Sequence, residues 1–145
     1  MTAARVPVLG ITMGDPAGVA VVTVDALGHG NLAPAIAALT GGGAAVVAST
    51  AAPAPREAMA GHLARTAARI LDRAPADLVA VTGGATAYAL IQALRPRCFE
   101  LLGAPAAGLA LGRLALEDGR VLPLLTKAGG FGGPDLFTTL LGGTP

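Results

Sequence analysis

Residues 78–82, LVAVT, are apolar almost throughout, only five long, and run straight into Gly83-Gly84. A short continuous apolar run with β-branched residues suits a strand buried on both faces. Helical patterns flank it. Before it, Met59, Leu63, Ala67, Ile70 and Leu71 recur at helical spacing, while Arg56, Glu57, Arg65, Arg69, Asp72 and Arg73 supply polar surface. After it, Thr86 stands where a helix N-cap is expected, AYALIQAL follows, and Pro96 closes the segment. A strand of this kind has to be covered by helices, which predicts an α/β domain.

The remaining elements fit that frame. VPVLGITM predicts a second buried strand, followed by the turn Gly14-Asp15-Pro16-Ala17-Gly18. Val21–Val24 and Ala44–Ser49 are strand candidates, and Leu32–Leu39 is a helix candidate. Cys98–Leu102 predicts another strand. Leu114–Leu116 and Val121–Leu125 flank Glu117-Asp118-Gly119-Arg120, and Asp-Gly between apolar runs is a hairpin signal. Pro134 and Asp135 open a last helix, through Leu141. The expected architecture is a single compact α/β domain, with a mixed, mostly parallel sheet flanked by helices. Within it, residues 1–55 form a short strand-and-turn section rich in Ala, Gly and Pro, and residues 56–145 form a ligand-binding section.

Composition narrows the function. The 145 residues carry a net charge of +1, and the basic residues are dispersed. With one Tyr, three Phe and no Trp, stacking platforms for nucleic acid are lacking, and neither nucleic acid nor an anionic membrane is expected as a partner. The uncharged stretch from Ala26 to Pro55 is broken by Pro34 and by Gly41-Gly42-Gly43, so it cannot supply a membrane helix of ~20 residues. No secretory signal is visible at the start, and a cytoplasmic location is expected. Hydrophobic residues reach 53%, which favours a well-buried core or a surface that pairs with a partner. Cys98 is the only cysteine and reads as a small buried hydrophobe. His29 and His62 are too few and too far apart for a metal site.

Two glycine-rich turns carry the chemistry. In VTGGATA, Val81–Ala87, the glycine pair lets backbone approach a ligand closely, and the helix start that follows offers unpaired N–H groups and a partial positive charge. The same pattern also fits a plain strand-to-helix turn with a threonine cap. In TKAGGFGG, Thr126–Gly133, four glycines in five residues are interrupted only by Phe131. Lys127 precedes them and is the only lysine beside nine arginines. A compact ammonium on a flexible stem suits a phosphate, though a solvated loop with a surface lysine fits equally well. Neither turn is a Walker loop, because Lys127 precedes its glycines and is followed by Ala128. Neither is a dinucleotide fingerprint, because no GxGxxG is present.

At these turns the chain resembles the four-carbon acid sugar kinase family, in its C-terminal nucleotide-binding domain. The likeness runs from about Ala60 to Leu141, through HLARTAARIL, LVAVTGGATAYALIQAL, the ELLG and LGRL segments and LPLLTKAGGFGGPDLF. Val22–Leu39 resembles a segment that precedes that domain. The resemblance implies ATP and Mg2+ as cofactors and phosphorylation of acids such as threonate and erythronate. It implies nucleotide contacts from Gly83, Gly84, Ala85 and Thr86 on the first turn, and from Gly129, with Lys127 and Gly130, on the second. The family usually places an acid between the glycine pair and the threonine, where this chain has Ala85.

The family's sugar-acid-binding N-terminal domain has little room before Ala60. A separate sugar-acid-binding polypeptide, or a homo-oligomer, is therefore the expected partner, and no catalytic residue is assigned. A non-catalytic remnant acting as an interaction domain is the alternative. ITMGDPAGVA, Ile11–Ala20, is similar instead to the opening of 4-hydroxythreonine-4-phosphate dehydrogenase, which offers a second alternative.

Overall fold

The computed structural model describes residues 8–13, 20–25, 27–49 and 55–128. In chain order the elements are β1 (Val8–Met13), β2 (Ala20–Val24), α1 (Ala33–Thr40), β3 (Ala44–Ser49), α2 (Arg56–Leu71), β4 (Leu78–Thr82), α3 (Gly84–Leu94), β5 (Cys98–Gly103), β6 (Leu109–Ala115) and β7 (Val121–Lys127). The seven strands form one sheet in the order β2-β3-β1-β4-β7-β6-β5. The pairs β2–β3, β3–β1, β1–β4 and β4–β7 are parallel, and β6 runs antiparallel to both β7 and β5. The result is the expected α/β domain with a mixed, mostly parallel sheet.

Alternation along the strands sorts side chains onto two faces. Leu9, Ile11, Val22, Val24, Val47, Val79, Val81, Leu122 and Leu124 join buried residues of all three helices in one core. On the other face, Ala80, Leu109 and Leu125 form a smaller cluster, with Leu78 and Leu111 packed against it. The amphipathic pattern of α2 drives its docking: Met59, Leu63, Ala67, Ile70 and Leu71 are all buried, and α2 packs against α3. Glu57 in its first turn and Arg69 in its last complement the helix dipole. The one buried polar side chain of α2 is satisfied, because the Thr66 hydroxyl donates to the His62 carbonyl at 2.8 Å.

The Asp-Gly turn forms as its sequence predicts. Gly119 takes φ +92°, and Ala115 pairs with Val121 across the turn. Arg120 then reaches across to α2, where Nη1 donates to the Leu71 carbonyl at 2.9 Å, while Nε donates to Asp118 at 2.7 Å. This fixes the closed end of the hairpin beneath the C-terminus of α2. The first arm is longer than the sequence suggests and starts at Leu109, because pairing with β5 and β7 extends it beyond its most apolar residues. The helix expected over 134–141 lies outside the described residues.

Two local expectations are corrected. Cys98 is exposed, because β5 is the last strand of the sheet and all six of its residues are exposed. Thr86 is not a cap. The helix begins three residues earlier than expected, at Gly84 with Gly83 at the N-cap, and Thr86 sits in the first turn, buried at 1% exposure. Gly83 can cap because φ +95° is open to glycine. No helix among the described residues is long and apolar enough to cross a membrane.

Candidate functional site: a glycine turn beside the lysine strand

The first glycine turn and the root of the second are neighbours. β4 and β7 pair in parallel, with Thr82 opposite Lys127. One residue further on, the Gly83 N–H donates to the Lys127 carbonyl at 2.8 Å. The ladder between the two strands therefore extends into the turn, and α3 departs immediately beyond it. On the other side of β7, the Ala128 N–H donates to the Gly108 carbonyl at 2.9 Å. The exit of the lysine strand is thus held from both sides. Gly108 carried no signal in the sequence beyond being a glycine before an apolar run, and its φ of +76° marks the bend into β6.

Strand order places this edge at a topological break. From β1 the chain goes to β2, and from β4 it goes to β5, in opposite directions across the sheet. Adjacent parallel strands whose connections diverge leave a crevice at their carboxyl ends, the usual ligand position in open α/β sheets. Gly83 stands at that break, between the ends of β1 and β7.

The start of α3 is chemically bare. It has no side-chain cap hydrogen bond and no acid in its first turn. Its first backbone N–H groups have no acceptor within the helix and carry the positive end of the macrodipole. Gly84 and Ala85 are exposed at this end. A Cβ built on Gly84 meets no described atom within 4 Å. Gly84 does not have a positive φ, so neither its own backbone conformation nor crowding by those neighbours calls for glycine there.

Lys127 supplies the nearby positive charge. None of the ion pairs among the described residues involves it, and its Nζ makes only a long 3.4 Å contact to the Ala128 carbonyl. The Thr86 hydroxyl forms none of the side-chain hydrogen bonds seen among the described residues. Gly129 and Gly130 lie outside the described residues, as do Gly14–Gly18 of the dehydrogenase-like segment.

Residues 82–87 and 126–128 contain no carboxylate, and no group of three or more His, Cys, Asp or Glu among the described residues could hold a metal. Asp25 has a local role, accepting the Leu27 and His29 N–H groups at 2.9 and 2.8 Å. These bonds, the one from His29 foremost, lower its pKa.

The family model described as "Nucleotide-binding C-terminal domain" matches residues 19–137. Two solved structures are similar, both of a domain of unknown function (DUF1537) from Bordetella bronchiseptica, with bound citrate, as a domain-swapped dimer. One has TM-score 0.69 and 24% identity, covering 95% of this chain and 41% of that one. The other has TM-score 0.69 and 27% identity, covering 94% and 39%. The chain therefore spans about two fifths of the length of these relatives. No curated protein matches.

Proposed function

Because the chain belongs to the nucleotide-binding C-terminal domain family, the domain through which it resembles four-carbon acid sugar kinases, we propose that it is the ATP-binding module of such a kinase. The observation that carries this reading is the Gly83 N–H bond to the Lys127 carbonyl. It joins an uncapped helix N-terminus to the strand that delivers the only lysine. In this reading the backbone N–H groups of Gly84, Ala85 and Thr86 donate to phosphate oxygens, and Lys127 neutralises charge as the phosphates bind. Gly129 and Gly130 complete the cradle from the second turn.

The residues present fit the phosphates better than they fit a protein-held metal. Ala85 replaces the acid that the resemblance leads one to expect, and the adjoining stretches carry no carboxylate. Mg2+ would then rest chiefly on phosphate oxygens and water, with no carboxylate supplied by these stretches. ATP supplies the transferable phosphoryl group. Transfer also needs an acceptor hydroxyl in line with it, and we assign that role to a sugar-acid-binding domain outside this chain, working with it in the cytoplasm. The domain-swapped dimers of the two solved relatives support a homo-oligomer here as well. Ala85 also supports a second reading, in which the domain binds nucleotide without catalysing transfer.

Thermal melting with ATP, ADP and NAD tests the binding claim. A ligand held only by the folded state stabilises it by about 2.7 kcal/mol at a hundred times its Kd. ATP and ADP are expected to raise the melting temperature and NAD to leave it unchanged. No shift with millimolar ATP, with or without Mg2+, would end the proposal. If binding holds, phosphoryl transfer after adding a sugar-acid-binding domain separates the kinase module from the second reading.

A further inference from the structure

Between α2 and α3 lies an open cleft of about 290 Å³, lined by Gly61, Ala64 and Arg65 from α2 and by Ala89, Gln92 and Ala93 from α3. A glycine and three alanines leave the space free, and the polar walls are one guanidinium and one amide. No lining residue is acidic, and α3 carries no acid anywhere along its length.

The Arg65 guanidinium is held in place without being neutralised. Its Nη2 donates to His62 Nδ1 at 2.8 Å, so the imidazole accepts there and brings no negative charge. His62 is itself confined by the loop after β2, because a Cβ on Gly28, at φ +87°, would stand 2.6 Å from the same nitrogen. None of the ion pairs among the described residues involves Arg65. Its Nη1 folds back over Gly61, where a Cβ would stand 3.2 Å away. Gly61 lies inside a sixteen-residue helix and has no positive φ, so glycine there costs helix stability with no backbone need. What it provides is room for the guanidinium and for the cleft beside it. On the facing wall, Gln92 Nε2 donates to the Tyr88 hydroxyl at 2.7 Å, which fixes the amide and leaves its carbonyl oxygen to accept from another partner.

We propose that this cleft binds a small hydroxycarboxylic acid, with its carboxylate on Arg65 and a hydroxyl on the Gln92 carbonyl oxygen. A planar guanidinium presents paired donors that match a carboxylate, and an amide oxygen accepts from a hydroxyl. The volume lies at the bottom of the range for ligand pockets, which suits a molecule of a few carbons and excludes a nucleotide. Gln92 stands eight residues along α3 from Gly84, roughly 12 Å at 1.5 Å per residue, so the cleft is separate from the proposed phosphate cradle.

Backbone amide NMR of the nucleotide-free chain, titrated with tartrate at constant ionic strength, tests the site. Saturable shifts are expected at residues 61–65 and 89–93, with a Kd of roughly 1–10 mM for one charge-assisted pair in an open cleft. Threitol, which keeps the hydroxyls and lacks the carboxylates, is expected to leave them in place. Arg65→Gln is expected to weaken tartrate by about tenfold or more. Arg69→Gln, which removes the same charge one turn further along α2, is expected to weaken it by less than about threefold. Gly61→Ala fills the cleft and is expected to weaken tartrate while the melting temperature holds or rises, which separates a lost site from a lost fold. Equal losses in the two arginine variants would show only screening of a basic helix, and the absence of a saturable shift would show no acid site. Either result overturns the proposal, as does a penta-glutamate peptide that binds more tightly than tartrate and so assigns the Arg65 wall to an acidic segment of another polypeptide. ATP enters none of these titrations, so the nucleotide reading stands or falls separately.

Discussion

Alanine at Gly83 and alanine at Gly84 are expected to have opposite effects on stability, and only one of those effects bears on function. Gly83 sits at φ +95° and ψ +135°, a region that L-residues avoid, so Gly83→Ala costs about 1–3 kcal/mol. Gly84 is the first helical residue, has no positive φ, and its missing Cβ points into space free of described atoms. Alanine at such a position usually stabilises by about 0.4–1 kcal/mol, mainly by restricting the unfolded chain. For a chain of this size that raises the melting temperature by roughly 1–4 °C. The same methyl stands where a phosphate would approach the amides. Loss of one charge-assisted hydrogen bond, about 1.5–3 kcal/mol, weakens ATP binding by roughly 10- to 150-fold. Melting curves with and without ATP, backed by titration calorimetry, read both quantities from one protein. A Gly84→Ala protein that is more stable than wild type and binds ATP unchanged would refute the claim that these amides cradle the phosphates.

Lys127→Gln, which removes the charge but keeps a polar side chain only one atom shorter, is expected to weaken ATP by about tenfold, from one charged contact, and to flatten the salt dependence of binding. Titrations at low and high ionic strength check it, and an unaltered salt slope would show that Lys127 does not meet the phosphates. Asp118 has its pKa lowered by the Arg120 backbone amide first, with the Arg120 side chain adding to it. Its carboxylate therefore stabilises the hairpin above the ordinary carboxylate range, and that contribution fades as pH falls through the lowered pKa. Melting curves of wild type and Asp118→Asn should differ near pH 7 and converge in acid, and a gap that persists into acid would refute the assignment.

Where a residue's role is set by its immediate neighbours in sequence, the sequence gives it away. Asp118-Gly119 announces the hairpin because few dipeptides populate that turn, and α2 is legible because sixteen residues repeat one apolar stripe. Thr86 and Cys98 fail for reasons that distant partners decide. The cap fell to Gly83, whose N–H is held by Lys127, forty-four residues on, and a threonine that looks like a cap became part of the core. Cysteine is usually buried, but exposure in a sheet depends on strand order, and β5, which carries Cys98, comes last in that order although it is fifth in sequence.

The same reasoning explains why the candidate site could be suspected from the sequence but not assembled. Each glycine turn is a local pattern with an ordinary structural explanation, and no spacing rule relates residue 83 to residue 127. What relates them is that β7 enters the sheet beside β4, after the β5–β6 excursion has been folded outward to the edge. That excursion does two things at once. By taking the outer positions, β5 and β6 let the lysine strand pair in parallel with the strand that ends in Gly83. By ending in β5, they also leave an apolar strand at the edge of the sheet. One strand order thus produces both the candidate anion cradle and the exposed edge strand.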